Sequence, residues 1–427
     1  MEVENSEQLN ATIQDNNPDD VASIPLSEDT SNESSSDSDD NEWNEEEMKQ
    51  KTEELKKQIE ANPKDENTYK ELIALYRKQG SIDEVRNIRV QYKQNLPLSP
   101  GFICFHYLIL ESWTEWIEDE KTVVSDDEEK ESICQLYKAA LKEYYSIDMW
   151  IAYLHYVNEQ LPSQMSSVCE EALHNCISDC VEGLRIWAVV LQWSCDNQTP
   201  DKTESLYLRM LSHPYQSLEG AFDQYRLWHE SIETPMEESV LQQYELAKKE
   251  YEKRDPYELE LAGSTEMDHI STAYRHFQEY VQFEIKEMKN SPYEENRGYF
   301  LYVKYTFFFR YVPDFWNDYY LYALNQIKVG STCHFISSRA LKHICNSGSL
   351  YEHHLVSLEL TNKKVSFLND LIMTVNKQVL LSYYDYLHFY LACIASYRRR
   401  ISLQENGAQE GLVFLCDHCV DWLVRVI

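Results

Sequence analysis

Trp150-Ile151-Ala152-Tyr153-Leu154-His155-Tyr156 is the stretch that decides the fold. Its rings stand at i, i+3 and i+6, a spacing that sets them on one helical face and offers them to a neighbouring helix. The pattern returns as Trp187, Val190 and Trp193, as Phe222, Tyr225 and Trp228, as Phe277, Tyr280 and Phe283, and as Trp316, Tyr319 and Tyr322. Trp113 (with Trp116 beside it), Trp150 and Trp187 are 37 residues apart each time. The next leading rings, Phe222, Phe277, Trp316, Tyr351 and Tyr390, follow at gaps of 35, 55, 39, 35 and 39. A period in the thirties is the mark of a helical-hairpin solenoid, whose stacked units share one core. Burial is the expected fate of rings at this spacing, so they are read as repeat anchors.

Between the beats lies a second helix of small and aliphatic residues. Leu136-Tyr137-Lys138-Ala139-Ala140-Leu141 is its clearest copy; Glu170-Glu171-Ala172-Leu173 and Ser338-Arg339-Ala340-Leu341 are weaker ones. Alanine lets two helices approach closely while the aliphatics fill the groove. Gly80-Ser81, Pro162-Ser163, Thr199-Pro200 and Thr234-Pro235 mark the turns, as residues that stop or start helices do. With 10 Gly and 12 Pro in 427 residues, the chain is too poor in turn formers for a β protein. The expected fold is an all-α, right-handed α-α superhelix.

The first 47 residues hold 16 acids and no Lys or Arg. Poor in apolar residues, they cannot offset the entropy of ordering and read as a disordered acidic tail. Ser34, Ser35, Ser36 and Ser38 beside Asp37, Asp39 and Asp40 form the substrate pattern of acid-directed kinases, hence candidate phosphorylation sites; a solubilising tail is the plainer and compatible reading. Residues 48–427 read as about nine helix pairs, the last incomplete. An irregular apolar insertion spans 100–110. The long gap before Phe277 is filled by a long helix over Pro235–Arg254 and a connector over 255–268. The formal charge is −34; subtracting the 16 acids of the leader leaves −18 on the array. Such a surface repels phosphate backbones, which argues against free nucleic acid as a ligand.

Eleven scattered cysteines and no apolar run after Met1 point to a reducing compartment, cytosol or nucleus. The apolar stretches Phe102–Leu110 and Tyr299–Tyr311 are too short to span a membrane.

The pairing of Trp150–Tyr156 with Leu136–Leu141 resembles the half-a-TPR (HAT) repeat. That resemblance implies work on RNA-containing machines; the period alone does not. Within the group, the order of segments is similar to the N-terminal half of the spliceosomal snRNP recycling factors. Leu96-Pro97-Leu98, Trp113–Glu120, Pro235–Glu258 (ending Asp255-Pro256-Tyr257-Glu258), Val312-Pro313-Asp314-Phe315-Trp316 and Tyr397-Arg398-Arg399-Arg400 carry it. The resemblance implies a nuclear scaffold with protein subunits of snRNPs as partners, a deubiquitinase and histones as further ones, RNA contacted weakly or indirectly, and a homodimer as one assembly state. Two segments depart from the pattern: Tyr299–Arg310, and Tyr351 with His354 and Ser357. The family's later repeats and RNA-recognition motifs have no counterpart here.

Candidate chemistry is sparse. Cys416-Asp417-His418-Cys419 has zinc-like spacing and Cys176 with Cys180 would share a helical face, but four converging ligands are needed and packed helix cysteines are the preferred reading. His353-His354 reads as a solvated or half-packed helix pair. No phosphate loop or hydrolase motif is present, and no cofactor or catalytic residue is expected. Arg398, Arg399 and Arg400 form the sharpest basic cluster, a candidate partner contact; the competing reading is a helix C-terminus whose dipole favours cations. The alternatives to a splicing scaffold are a co-chaperone-like docking solenoid and a 3′-end-processing HAT scaffold.

Overall fold

The computed structural model describes residues 45–96, 111–231, 238–266, 269–289, 296–375, 380 and 382–426. The serine cluster at 34–38 and the insertion at 100–110 lie outside them. The chain divides into two units, Met1–Lys51 and Thr52–Ile427. The paired helices lie in the second, and no strand occurs among the described residues.

Helix α1 is Glu45–Ala61. Hairpins follow: α2 (Glu66–Lys78) with α3 (Ile82–Asn95), α4 (Glu111–Val123) with α5 (Asp127–Glu143), α6 (Ile147–Gln160) with α7 (Met165–Cys176), and α8 (Gly183–Asn197) with α9 (Pro200–Leu211). Next come α10 (Leu218–Glu230) with α11 (Glu238–Glu266), α12 (Ile270–Glu287) with α13 (Arg297–Tyr305), and α14 (Pro313–Tyr322) with α15 (Gly330–His343). The array ends with α16 (Gly348–Leu360) and α17 (Val365–Val375), then α18 (Tyr383–Ser402) and α19 (Ala408–Val426). This is an all-α helical-repeat solenoid, with every leading ring on an even-numbered helix.

Local chemistry fixes the helix ends. Asp65, Asp126, Ser146, Asn296 and Ser382 accept first-turn backbone N–H groups of α2, α5, α6, α13 and α18, which satisfies donors the helix cannot. Pro200 and Pro313 open α9 and α14 where no N–H is needed. Gly80, at φ +66°, closes α2: its N–H goes to Arg77 O while Ser81 N–H reaches Tyr76 O.

A tyrosine pair recurs across successive hairpins. Tyr137 on α5 stacks on Tyr153 of α6 at 5.1 Å, and Tyr257 on α11 on Tyr280 of α12 at 5.3 Å. Tyr302 on α13 stacks nearly parallel on Tyr319 of α14 at 4.9 Å, and Tyr207 on α9 tilts against Tyr225 of α10 at 5.5 Å. Each pair joins the second helix of one unit to the i+3 ring of the next, so ring stacking is the repeating link. At Tyr351 the i+3 position is His354, and a histidine fills the role: it stacks on His334 of α15 at 5.2 Å. Ser337 and Ser357 bridge the two imidazoles with hydrogen bonds of 3.0–3.1 Å.

The expected connector at 255–268 is corrected over 255–266: α11 runs unbroken from Glu238 to Glu266 with Pro256 inside it, and 267–268 lie outside the described residues. Proline costs one helical hydrogen bond, and side chains on both sides hold the helix through it. Tyr251 donates to Asp255 at 2.8 Å, and the fully buried Arg254 pairs with Glu284 of α12 at 2.8 Å and with Glu250 at 2.9 Å.

Candidate interaction surface

For a repeat array, function resides in side chains that cross between units, and these define a seam. The turn between α5 and α6 is Tyr144-Tyr145-Ser146. Its two phenols point away from the local hairpin. Tyr145 meets Phe300 of α13 edge-on at 5.0 Å, and Tyr144 meets Phe307 in the same manner at 5.6 Å. Arg339 of α15 donates to the Glu143 carbonyl and lies over the Tyr144 ring. Residues nearly 200 positions apart are thus in contact, whereas an ordinary solenoid touches its nearest units.

Asp179, in the turn between α7 and α8, is the polar centre of this seam. It is 1% exposed. Its Oδ1 accepts from Lys304 Nζ at 2.9 Å and from the backbone N–H groups of Val181 and Glu182 at 3.1 Å, while Oδ2 accepts from Tyr145 OH at 2.9 Å. Burial alone would raise this carboxyl; Lys304 and the hydrogen bonds outweigh it and hold it below its ordinary value. Lys304 answers in the opposite sense: burial pulls the ammonium down, but Asp179 and Glu258 push it well above the usual lysine value. Next to it, Arg297 of α13 donates to the Ser178 carbonyl at 3.2 Å and touches Cys180 Sγ.

The aromatic anchors occupy the interior. Trp113, Trp150, Tyr153, Trp187, Tyr225, Phe277, Tyr280, Trp316, Tyr319, Trp116 and Tyr390 are buried; Phe222 is half-buried and stacks on Tyr244 of α11 at 4.4 Å. Polar edges find partners: Trp187 Nε1 donates to Tyr215 OH at 2.7 Å and Trp316 Nε1 to the Arg310 carbonyl at 2.8 Å.

The three consecutive arginines are not one patch. Arg400 is buried, donating to the Lys363 carbonyl and to Glu405 at 2.8 Å each. Arg399 makes a two-point pair with Glu359 of α16 at 2.8 and 2.9 Å. Arg398 is exposed, as is Arg399, and makes no hydrogen bond or ion pair among the described residues. Helix rotation of 100° per residue separates them, so adjacency in sequence does not make a surface. The same helix also exposes Tyr384, Leu387 and Leu391, an apolar stripe that the sequence reading passed over.

The cysteine pairs are also resolved. Cys176 ends α7 and Cys180 lies in the turn beyond it, so they do not share a helical face. Both are buried, which pushes their thiols up, that of Cys180 to about 11. On α19, Cys416 is exposed and Cys419 half-buried; the His418 side chain lies outside the described residues. Among the described residues, no three His, Cys, Asp or Glu side chains converge as metal ligands. His353 stacks on Tyr320 at 4.3 Å, and burial and the neighbouring His388 lower it to about 4.

Sequence comparison matches residues 53–227 to the family described as PRP39 N-terminal HAT repeat. Curated relatives described as spliceosome associated factor 3, U4/U6 recycling protein, match most of the chain. The Mus musculus protein is 27% identical over 366 residues, 84% of this chain and 36% of the relative. The Homo sapiens protein is 26% identical over the same shares, and that of Danio rerio 23% identical over 83% of this chain and 38% of the relative. The chain thus spans little more than a third of the length of these relatives. Among solved structures, the crystal structure of CstF-77 aligns with TM-score 0.43 and 13% identity, over 74% of this chain and 77% of that one.

Proposed function

We propose that this chain, a HAT-repeat protein similar over most of its length to U4/U6 recycling proteins, is a non-catalytic scaffold of pre-mRNA splicing. It would assist assembly or recycling of spliceosomal snRNPs through protein contacts, in the nucleus. The observation that carries the reading is the extent of the likeness: it runs through 84% of the chain and so covers the array rather than one hairpin.

Surface chemistry supports protein partners over naked RNA. The array carries −18 once the 16 leader acids are subtracted from −34, and a polyanion lying along it would be repelled. The strongly shifted imidazoles His343, His353 and His354 are each explained by stacking and burial between helices, which is a packing role rather than acid–base chemistry. Affinity purification of the tagged chain from nuclear extract is expected to enrich U4/U6 snRNP proteins, while a filter-binding titration with naked RNA gives weak binding at physiological salt. Tight, salt-sensitive RNA binding, or recovery of no snRNP subunit, would overturn the reading.

A further inference from the structure

In this acidic chain four cationic side chains converge where the seam opens to solvent. The last turn of α5 presents Lys142, the last turn of α15 presents Lys342 with Arg339 in the turn before it, and the last turn of α3 presents Lys93. With Ala139, Glu143, Phe335 and His343 they line a cleft of roughly 260 Å³. Lys142 and Lys342 are exposed; Lys93 and Arg339 are half-buried. The floor is aromatic: Lys142 lies 5.4 Å and Arg339 5.2 Å from the centre of the Phe335 ring, and Lys93 is 4.8 Å from that of Trp113.

The plainer account is that cations simply neutralise helix C-termini. Its size can be judged. Each helix end carries about half a negative charge, so three ends and Glu143 supply roughly −2.5 against four cations. A surplus remains, and Glu143 is itself engaged, its carboxylate accepting from Trp113 Nε1 at 3.1 Å. None of the four cations makes an ion pair among the described residues. The Lys93 ammonium is depressed chiefly by burial; Glu143 opposes the shift, and Lys342 and Lys142 add to it. Burial raises the Glu143 carboxyl above its ordinary value, against the pull of Arg339, Lys342 and Lys93.

We propose that this cleft binds the acidic side chains, carboxylate or phosphoserine, of a short peptide segment of a partner protein. A compact acidic segment delivers its charge at the four cations. A nucleic acid must run its remaining phosphates over the acidic array, within the roughly 8 Å range of unscreened repulsion at physiological salt. The aromatic floor suits the aliphatic stems of peptide side chains. Arg339 lies over the Tyr144 ring and His343 Nε2 is 3.5 Å from Tyr144 OH, so the cleft adjoins the seam and an occupant here touches α3, α5 and α15 together. The site stands whichever machine the array serves, so it does not rest on the splicing assignment.

The test is fluorescence anisotropy with labelled peptides of about twelve residues, one with three clustered Glu, one with phosphoserine at those positions and one with Gln, beside an oligouridine of equal length. Wild type is expected to bind both acidic peptides, more weakly as salt rises, and to ignore the Gln peptide. The relative strength of the two acidic peptides identifies the preferred oxyanion. The exposed pair Lys142→Glu/Lys342→Glu should lower affinity about tenfold or more, with Arg398→Glu, outside the cleft, unchanged. Should charge reversal lower the melting temperature, Lys142→Gln/Lys342→Gln is expected to give the same ordering in a chain that melts like wild type. The proposal is overturned if neither acidic peptide binds, if the Gln peptide binds equally, if the double variants bind like wild type, or if oligouridine binds more tightly than the peptides.

Discussion

Lys304 Nζ lies 2.9 Å from Asp179 Oδ1, across 125 residues of chain. The carboxylate sits in the turn between α7 and α8; the ammonium comes from α13. Their contact joins two stretches of the array that the intervening helices α8–α12 would otherwise leave apart. A buried ion pair of this kind is weak support for net stability but strong support for one arrangement, because either partner alone is costly to bury.

Lys304→Met is therefore expected to destabilise the chain by about 3–5 kcal/mol, leaving Asp179 buried and uncompensated. Asp179→Asn combined with Lys304→Met should recover much of that loss. Urea denaturation of the two single variants and the double variant checks this, and additive losses would mean that the pair is not coupled.

The histidines set an acid limit. His343, beside Arg339, Arg310 and Lys342, is lowered to about 3, chiefly by burial. His353 and His354 are lowered to about 4, by burial and by His388 and His334 respectively. A depressed folded value means that the unfolded chain binds protons first as pH falls below about 6.5. The stabilisation is full above that value and is lost as pH falls towards 4, and towards 3 for His343. The melting temperature should fall through this window, each group contributing on the order of 2 kcal/mol after allowance for partial exposure. His353→Phe keeps the stack on Tyr320 and removes the proton site, so it should flatten the slope; an unchanged slope would sink the assignment.

Trp150→Ala and Trp187→Ala should each cost about 3–5 kcal/mol, since large core truncations leave cavities. Trp187→Phe retains most of the packing and forfeits the bond to Tyr215 OH, so a loss of about 1–3 kcal/mol is expected. Thermal melts of the three variants give the comparison, and unaltered melting of both alanine variants would contradict burial of the rings.

Two glycines should respond with opposite signs. A methyl at Gly348 would collide with the Asp385 backbone of α18, which cannot yield as a side chain tip would. Gly348→Ala is expected to loosen α16 from α18 at a cost of about 1–3 kcal/mol. Gly263 lies inside α11 with open space around the added methyl, so Gly263→Ala should stabilise by about 0.5–1 kcal/mol. Chemical denaturation of both chains reads the signs.

The sequence made the hairpin array legible because its signal is local and repeated. Trp113, Trp150, Trp187 and Trp316 mark one helix face each, and the alanine-bearing helices fall between them. Continuity of α11 was not legible, because Pro256 and Gly263 normally argue for a break, whereas the Arg254–Glu284 pair that carries the helix through depends on α12. Nor was the histidine pair His334–His354, since a ring contact between two helices is visible only once their register is known. The seam is the hardest case. Tyr144 and Tyr145 sit in a turn with no periodic counterpart, and their partners Phe307 and Phe300 are far along the chain. The basic triplet at 398–400 was legible as residues but not as a surface: adjacent in sequence, it is dispersed around α18, with Arg399 and Arg400 in that helix's last turn.

A stack that touches nearest units alone can gain or lose a hairpin without disturbing the rest. This chain cannot between Gly183 and Arg297. Adding or removing one hairpin there would carry α13 past the turn that holds Asp179 and leave Lys304, Arg297 and Phe300 facing the wrong neighbours. The number of helices in that interval is fixed by geometry, so natural length variation in such arrays should accumulate outside it.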